Sequence, residues 1–247
     1  MSQKLRQEKI LQIVEARKYV TVRELIYILQ YSSATVNRDL NALQALGLVQ
    51  RSRGGVEPAH RGGLPPLYTR QFYKKKEKRR IAEEAARQVQ NGDTVFLNGG
   101  TTVQYMVPFL LEKKNLCIIT NSLRLAIDLG ESDFEVICLG GRIRERPYVL
   151  GGDMTVENAM RYRPDKMFFS LGGIGADGCV AGDSLLNRIM LQNSAEVWLL
   201  TDRTKLVEEM RTVLCDFSAL TGVISDFDFP AETKRRFPTT SFLTVEE

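Results

Sequence analysis

The chain has 247 residues, 43% of them hydrophobic and 26% charged, which fits one or two globular domains and excludes a disordered or fibrous protein. No run is long enough to cross a bilayer and no signal peptide opens the chain, so the expected setting is cytoplasmic, with no membrane partner. Cys117, Cys138, Cys179 and Cys215 make no CxxC pair and His60 is the single histidine, which removes structural zinc, a disulfide framework and His–His metal sites; a Ser-His-Asp triad would have to recruit His60 from a Pro/Gly-rich stretch.

The net charge of +4 is unevenly spread. Residues 1–80 hold 17 Lys and Arg against 6 Asp and Glu, a net +11, which leaves 17 against 24, a net −7, for the rest. A basic end for nucleic acid and a second part with other work is the natural reading.

Taken in order, Leu5, Ile10, Leu11, Ile13 and Val14 predict a first helix with one buried stripe. The β-branched YVTV follows at 19–22. Thr21 and Glu24 form a capping-box pair opening a second helix, 22–30, that buries Leu25, Ile28 and Leu29. YSSATVNRDL, 31–40, then reads as a tight turn and a third helix capped by Ser32, with Val36, Leu40 and Leu43 inward and a stop at Gly47. That leaves short, amide-bearing or cationic side chains outward, which suits base edges and phosphates. LVQRSRGGV, 48–56, reads as a hairpin whose charged tip holds Arg51 and Arg53, with Gly54 and Gly55 freeing the turn. Helix, helix, recognition helix and wing make a winged helix-turn-helix. The candidate DNA contacts are Ser32, Ser33, Ala34, Thr35, Asn37, Arg38, Asn41, Arg51 and Arg53. Asp39 would repel DNA if exposed, so it is expected to pair with a neighbouring arginine or an N–H.

Residues 1–57 are thus the DNA-binding domain and 58–75 a Pro/Gly-rich, cationic linker. The run KKKEKRR, 74–80, either grips phosphates or forms a solvated helix face. Residues 76–247 form the second domain, where short apolar runs alternate with helical patterns. The strands expected are 94–97, 116–120, 135–139, 166–170, 197–201, 222–225 and 242–245. Helices are expected at 103–111, 123–129, 156–160 and 184–194. The alternation predicts an α/β fold with a mainly parallel sheet covered on both faces.

Small and polar segments follow five of those strands: Asn98–Thr102, Asn121–Ser122, Gly140–Arg142, Gly172–Gly178 and Asp202–Lys205. Ligands of open α/β sheets bind outside the carboxyl ends of the strands. The candidate ligand contacts are Asn98, Gly99, Gly100, Thr101, Thr102, Asn121, Ser122, Gly140, Gly141, Asp177, Gly178 and Lys205. Gly99 and Gly100 permit close backbone approach, Thr101 and Thr102 open a helix that favours an anion, and Lys205 adds positive charge. The sum is a phosphate-bearing ligand with hydroxyls. GGTT alone is equally a tight turn.

These residues resemble the DeoR family of bacterial transcriptional regulators over nearly the whole chain. The family's V-S-x-x-T-I-R-R-D-L, L-x-x-x-G and R-x-H-G-G-A correspond to YSSATVNRDL, LQALG and RSRGGV. Its E-K-x-x-I-A is matched by Glu77, Lys78, Ile81 and Ala82. Its D-x-G-T-T, T-N-S, GG, G-I-D-x-x-G and D-H-S-K correspond to 98–102, 120–122, 140–141, 175–178 and 202–205. The resemblance implies a sensor domain similar in fold to ribose-5-phosphate isomerase, binding a phosphorylated sugar or related metabolite. It also implies double-stranded operator DNA as partner and self-association as dimer or tetramer. No catalytic residue, metal or further cofactor is assigned. Departures are Asn37 for the first arginine, Asn98 for Asp, Arg203 for His and Thr204 for Ser, with Asp183 where the family often has Glu. Asn suits adenine where Arg suits guanine. Asn98 removes a carboxylate from the ligand edge, and Arg203 adds a cation to it. Two alternatives stand beside the regulator: an isomerase-like enzyme using Asp177 or Asp183 as base, and a regulator whose sensor binds nothing.

Overall fold

The computed structural model describes residues 2–59, 74–145 and 148–246. His60 and most of the expected linker lie outside them. The chain divides into two compact units, Met1–Tyr73 and Lys74–Glu247.

In the first unit, α1 (Gln3–Arg17) is capped by the Ser2 hydroxyl. Ile10, Leu11 and Val14 face the core. Leu5, expected on that stripe, is 52% exposed; at 100° per residue it sits about 140° round the helix from Ile10. β1 (Val20–Thr21) leads into α2 (Val22–Leu29), where Thr21 and Glu24 close the capping box. Leu25 and Leu29 are buried, whereas Ile28 is only partly so. Gln30 adopts the left-handed conformation that turns the chain, and Ser32 caps α3 (Ser33–Ala45) through the Thr35 amide. Val36, Leu40 and Leu43 are buried as their spacing requires. β2 (Val49–Ser52) and β3 (Gly55–Pro58) form the wing, and β3 also pairs with β1. The hairpin tip is Arg53-Gly54; Arg51 lies within β2 rather than at the tip.

In the second unit, α4 (Lys75–Arg87) lays Ile81, Ala82, Ala85 and Ala86 on the sheet. The small alanines let the helix approach closely. The basic run 74–80 is neither a free phosphate clamp nor a plainly solvated face. Lys78 is buried, Lys74 pairs with Glu77 at 2.9 Å and Arg80 donates to the Glu246 carbonyl.

Seven strands form one parallel sheet: β4 (Thr94–Leu97), β5 (Cys117–Thr120), β6 (Glu135–Cys138), β9 (Lys166–Phe169), β11 (Glu196–Thr201), β13 (Gly222–Ser225) and β14 (Ser241–Thr244). Their spatial order is β14-β13-β11-β9-β4-β5-β6. Alternate residues serve opposite faces. Val95, Leu97, Phe168 and Leu200 join α4 in one cluster, while Phe96, Met167, Phe169 and Leu199 build the other.

From β4 the chain winds outward to β6 through α5 (Thr101–Gln104), α6 (Val107–Leu110) and α7 (Leu123–Gly130). One helix was expected over 103–111, but Pro108 has no N–H and its ring clashes with the carbonyl of Gln104, so two short helices form. The hairpin β7 (Arg142–Glu145) and β8 (Val149–Gly151), then α8 (Asp153–Ala159), carry the chain back to β9 on the far side of β4. β10 (Cys179–Ala181) and α9 (Leu185–Asn193) precede β11. β12 (Val213–Asp216) pairs with β10, and α10 (Ala231–Arg236) joins β13 to β14. The winding direction reverses between β4 and β9, the place where open α/β sheets leave a crevice.

Candidate functional site

Two regions gather the polar residues singled out above. On the first, Ser32, Ser33, Ala34, Arg38 and Asn41 are exposed along α3, and Arg53 is exposed on the wing. Thr35 and Asn37 are half-buried, because their polar atoms are already engaged. The Ser32 and Thr35 hydroxyls bond each other at 2.9 Å. Asn37 donates from Nδ2 to the Ser33 carbonyl at 2.9 Å and the Ser33 hydroxyl at 3.2 Å, and its Oδ1 accepts from Arg51.

Two braces hold this unit; the pairing of Asp39 with an arginine was expected from the sequence, its partner Arg6 and the Tyr19 brace were not. Asp39 is fully buried and receives both Nε and Nη2 of Arg6, which also lies 4.8 Å from the Tyr31 ring centroid. The Asp39 carboxylate holds the Arg6 guanidinium more firmly protonated than usual. Tyr19 donates its hydroxyl to the Arg53 carbonyl at 3.0 Å. A Cβ at Gly55 would stand 2.5 Å from the Tyr19 ring, so Gly55 makes room for this brace while Gly54, at φ +73°, makes the turn.

The second region is the C-terminal edge of the parallel sheet. Asn98 ends β4 and stitches it to β9. Its Oδ1 accepts from the Gly100 and Ser170 amides at 3.0 and 3.1 Å, and its Nδ2 donates to the Ser170 carbonyl at 3.2 Å. Asn121 stitches the neighbouring loop, accepting from Gly99 N–H at 3.1 Å and donating to the Leu150 carbonyl at 3.0 Å. Ser122 caps α7. Gly99 and Gly100 sit against Val149 and Ser170, so their missing side chains serve the protein's own packing first. These five residues form the scaffold of the edge. The first turn of α5 presents the amides of Thr101, Thr102 and Val103, for which helix geometry supplies no intrahelical acceptor. The helix is only four residues long, so these N–H groups, rather than a helix dipole, are what an anion meets.

α5 also packs against β11, the strand that leads into the 3₁₀ turn Arg203–Lys205. Lys205 is buried there. Asp202 is fully buried; its Oδ1 takes the Thr204 amide at 3.0 Å and the Thr204 hydroxyl, and its Oδ2 has no hydrogen-bond partner. The Thr201 hydroxyl is likewise enclosed and unpartnered. Buried polar atoms are nearly always satisfied in native proteins, so each orphan calls for an explanation such as a missing ligand. Asp202 was not among the expected contacts; its place directly after an apolar strand was the available signal. Arg203 points outward, 5.9 Å from the Phe227 ring centroid.

Not every expected contact reaches this edge. Gly140 and Gly141 follow β6, two strands from β4, at φ +70° and +113°. Thr155 pins their turn by donating to the Gly140 carbonyl at 2.7 Å. Asp177 and Gly178 are placed elsewhere: the segment from β9 runs back over the sheet to pair β10 with β12. Gly178 packs on Phe217 and Phe237, which lead into the N-terminal ends of β13 and β14. Asp177 is exposed, and the Cys179 amide bonded to it at 3.0 Å lowers its pKa. It is a turn residue and not a base poised at the sheet edge. Asp183 is exposed as well.

The bond to Glu77 raises the pKa of Lys74, at the start of the unit, against the opposing effect of burial, and the charges of Asp226 and Asp202 add to the rise. Asp226 accepts the Arg203 amide at 2.8 Å, yet burial first, then the charges of Asp202 and Glu77, push its pKa upward. Among the described residues no cluster of His, Cys, Asp and Glu is placed to hold a metal, and no helix is long and apolar enough to cross a membrane.

The DeoR-like helix-turn-helix domain matches residues 6–61, and the DeoR C terminal sensor domain matches residues 73–227. The chain is 31% identical over 231 residues to the glycerol-3-phosphate regulon repressor of Escherichia coli, covering 92% of each protein. It is 30% identical over 246 residues to the lactose phosphotransferase system repressor of Staphylococcus aureus, covering 92% of this chain and 94% of that one. Among solved structures, ribose 5 phosphate isomerase A from Neisseria gonorrhoeae aligns over 53% of each chain at 16% identity, with a TM-score of 0.40.

Proposed function

The chain belongs to the DeoR family and is a transcriptional repressor rather than an enzyme; on that premise we propose that a phosphorylated sugar or related metabolite, bound at the C-terminal edge of the sheet in the second unit, sets its affinity for operator DNA. One observation carries the effector reading: the unpartnered, fully buried Asp202 Oδ2 beside buried Lys205. A carboxylate oxygen without a donor suits a ligand hydroxyl, and a lysine with the amides of Thr101–Val103 suits its phosphate. A sugar phosphate carries both groups on one small molecule. The two relatives named above are a repressor of a glycerol-3-phosphate regulon and a repressor of a lactose phosphotransferase system, which agrees with a phosphorylated ligand.

The α3 face and the wing supply the DNA contacts in this reading. One winged helix offers few base contacts, so the protein acts as a dimer or tetramer that reads paired half-sites. Light scattering at micromolar concentration tests the assembly, and a monomer with and without DNA would contradict it. Thermal-shift screening with phosphorylated sugars, their unphosphorylated counterparts and inorganic phosphate tests the effector. Stabilisation by the phosphosugars alone is the expected result; no response to any of them leaves the sensor reading without support.

A further inference from the structure

An asparagine at position 37 of a recognition helix invites the reading that it pairs with adenine. A side-chain amide has two donor hydrogens and two acceptor lone pairs. In Asn37 both donors are turned toward Ser33, on its carbonyl and its hydroxyl, and Oδ1 accepts from Arg51 Nη2. A bidentate adenine contact requires the Nδ2 hydrogen and Oδ1 together on the base edge. Asn37 reaches that geometry only by giving up a bond to Ser33 and by sharing Oδ1 between the base and Arg51.

Arg51 shows the other side of the arrangement. It belongs to β2, but its bond to Asn37 fixes the guanidinium to the second turn of α3 rather than leaving it out on the wing. Its Nε is enclosed without a partner, so the side-on fork of Nε and Nη2 is shut off from DNA. The bond to Asn37 uses one Nη2 hydrogen, so the second Nη2 hydrogen and both Nη1 hydrogens are left over. The end-on fork therefore remains open, at the N-terminal part of the recognition helix, where such helices meet base edges.

Resting on the DNA-binding reading above, we propose that Arg51 reads a guanine in the major groove through its terminal Nη1/Nη2 pair, and that Asn37 is the positioning residue that holds it there. The guanidinium fork matches guanine O6 and N7. Asn37 thereby affects specificity without touching a base.

The test is selection from a random duplex library with the full-length wild type, Asn37→Ala, Arg51→Ala, Arg51→Lys and the Asn37→Ala/Arg51→Ala double variant. Wild type is expected to enrich one sequence pattern. Arg51→Ala and Arg51→Lys relax the preference at one G·C position by roughly tenfold. Asn37→Ala relaxes that same position, and the double variant relaxes it no further. Thermal melting checks that each variant folds, and Arg51→Lys carries the test where Arg51→Ala does not. The proposal is overturned if Asn37→Ala relaxes an A·T position that the Arg51 variants leave intact. It is also overturned if Arg51→Ala weakens all duplexes alike and lowers the salt slope by about one while Arg51→Lys keeps that slope, the mark of a phosphate contact. Enrichment of no pattern by wild type is a separate result, which removes the DNA-binding reading itself and the proposal with it.

Discussion

Arg6 on the first helix and Asp39 on the recognition helix form a two-pronged ion pair, with Asp39 fully enclosed and Arg6 nearly so. The pair sets the angle at which α3 is presented. Removing one member leaves a buried charge without compensation, which typically costs about 3–5 kcal/mol. Asp39→Ala is expected to lower the denaturation midpoint of the first unit strongly. Asp39→Asn, which keeps an acceptor for Arg6, should cost less. Equal stability of Asp39→Ala and wild type would mean the pair contributes nothing to the unit.

Asn98 donates to the Ser170 carbonyl and accepts two amides around it. Aspartate, the residue of the family pattern, keeps the acceptor side and loses the donor, turning an oxygen toward that carbonyl. Asn98→Asp should destabilise the second unit by about 1–3 kcal/mol, the usual consequence of an unmatched buried polar group. Denaturant melting followed by the fluorescence of Trp198, the chain's single tryptophan, reads this directly.

The regular parts of the fold were legible because each is local. All seven parallel strands follow from short apolar runs, and the caps at Ser32 and Thr21 follow from residue type alone. What escaped the sequence is non-local. Asp177 matches a sensor motif by spacing, but the packing of Gly178 on Phe217 and Phe237 carries it away from the sheet edge. Asn37 has the chemistry of a base reader, but Ser33 and Arg51 engage its amide. Asp202 and Thr201 stand out among the buried polar residues by one side-chain oxygen each without a partner, Oδ2 and the hydroxyl, which depends on the packing of other segments around them.

Asp226 gives the second unit a pH signature. Its pKa is raised, by burial first and then by the nearby carboxylates. A carboxyl with a raised folded-state pKa binds its proton more tightly in the native state, so stability falls as pH rises from the ordinary carboxylate value of about 4 through the raised one. Asp226→Asn keeps an acceptor for the Arg203 amide and removes the charge. The variant should be more stable than wild type at pH 7, with the advantage shrinking as pH falls through the raised pKa and gone below about pH 4. A constant difference across that range would show that the charge is not the cause.

Lys205 is the buried cation of the proposed effector edge. Lys205→Ala should abolish the thermal shift given by phosphorylated sugars. A ligand at 100 times its dissociation constant stabilises a protein by about 2.7 kcal/mol, so the loss is easily read. Unchanged shifts in the variant would place the phosphate elsewhere.

A ligand alters DNA affinity only by favouring one state of the protein over another. Lys74 lies within the field of Asp202 and Asp226 and immediately precedes α4, so the ligand edge and the entry to the second unit share one charge cluster. The most direct test is titration of phosphorylated sugars into wild type and Lys205→Ala bound to a duplex chosen by selection, followed by fluorescence anisotropy. Wild type should change its DNA affinity by roughly 5–150-fold with a phosphosugar, the range of ordinary allosteric coupling, and not with the unphosphorylated sugar; Lys205→Ala should bind the duplex normally and ignore both. Identical titration curves for the two proteins, or a wild type indifferent to every phosphosugar, would contradict the account.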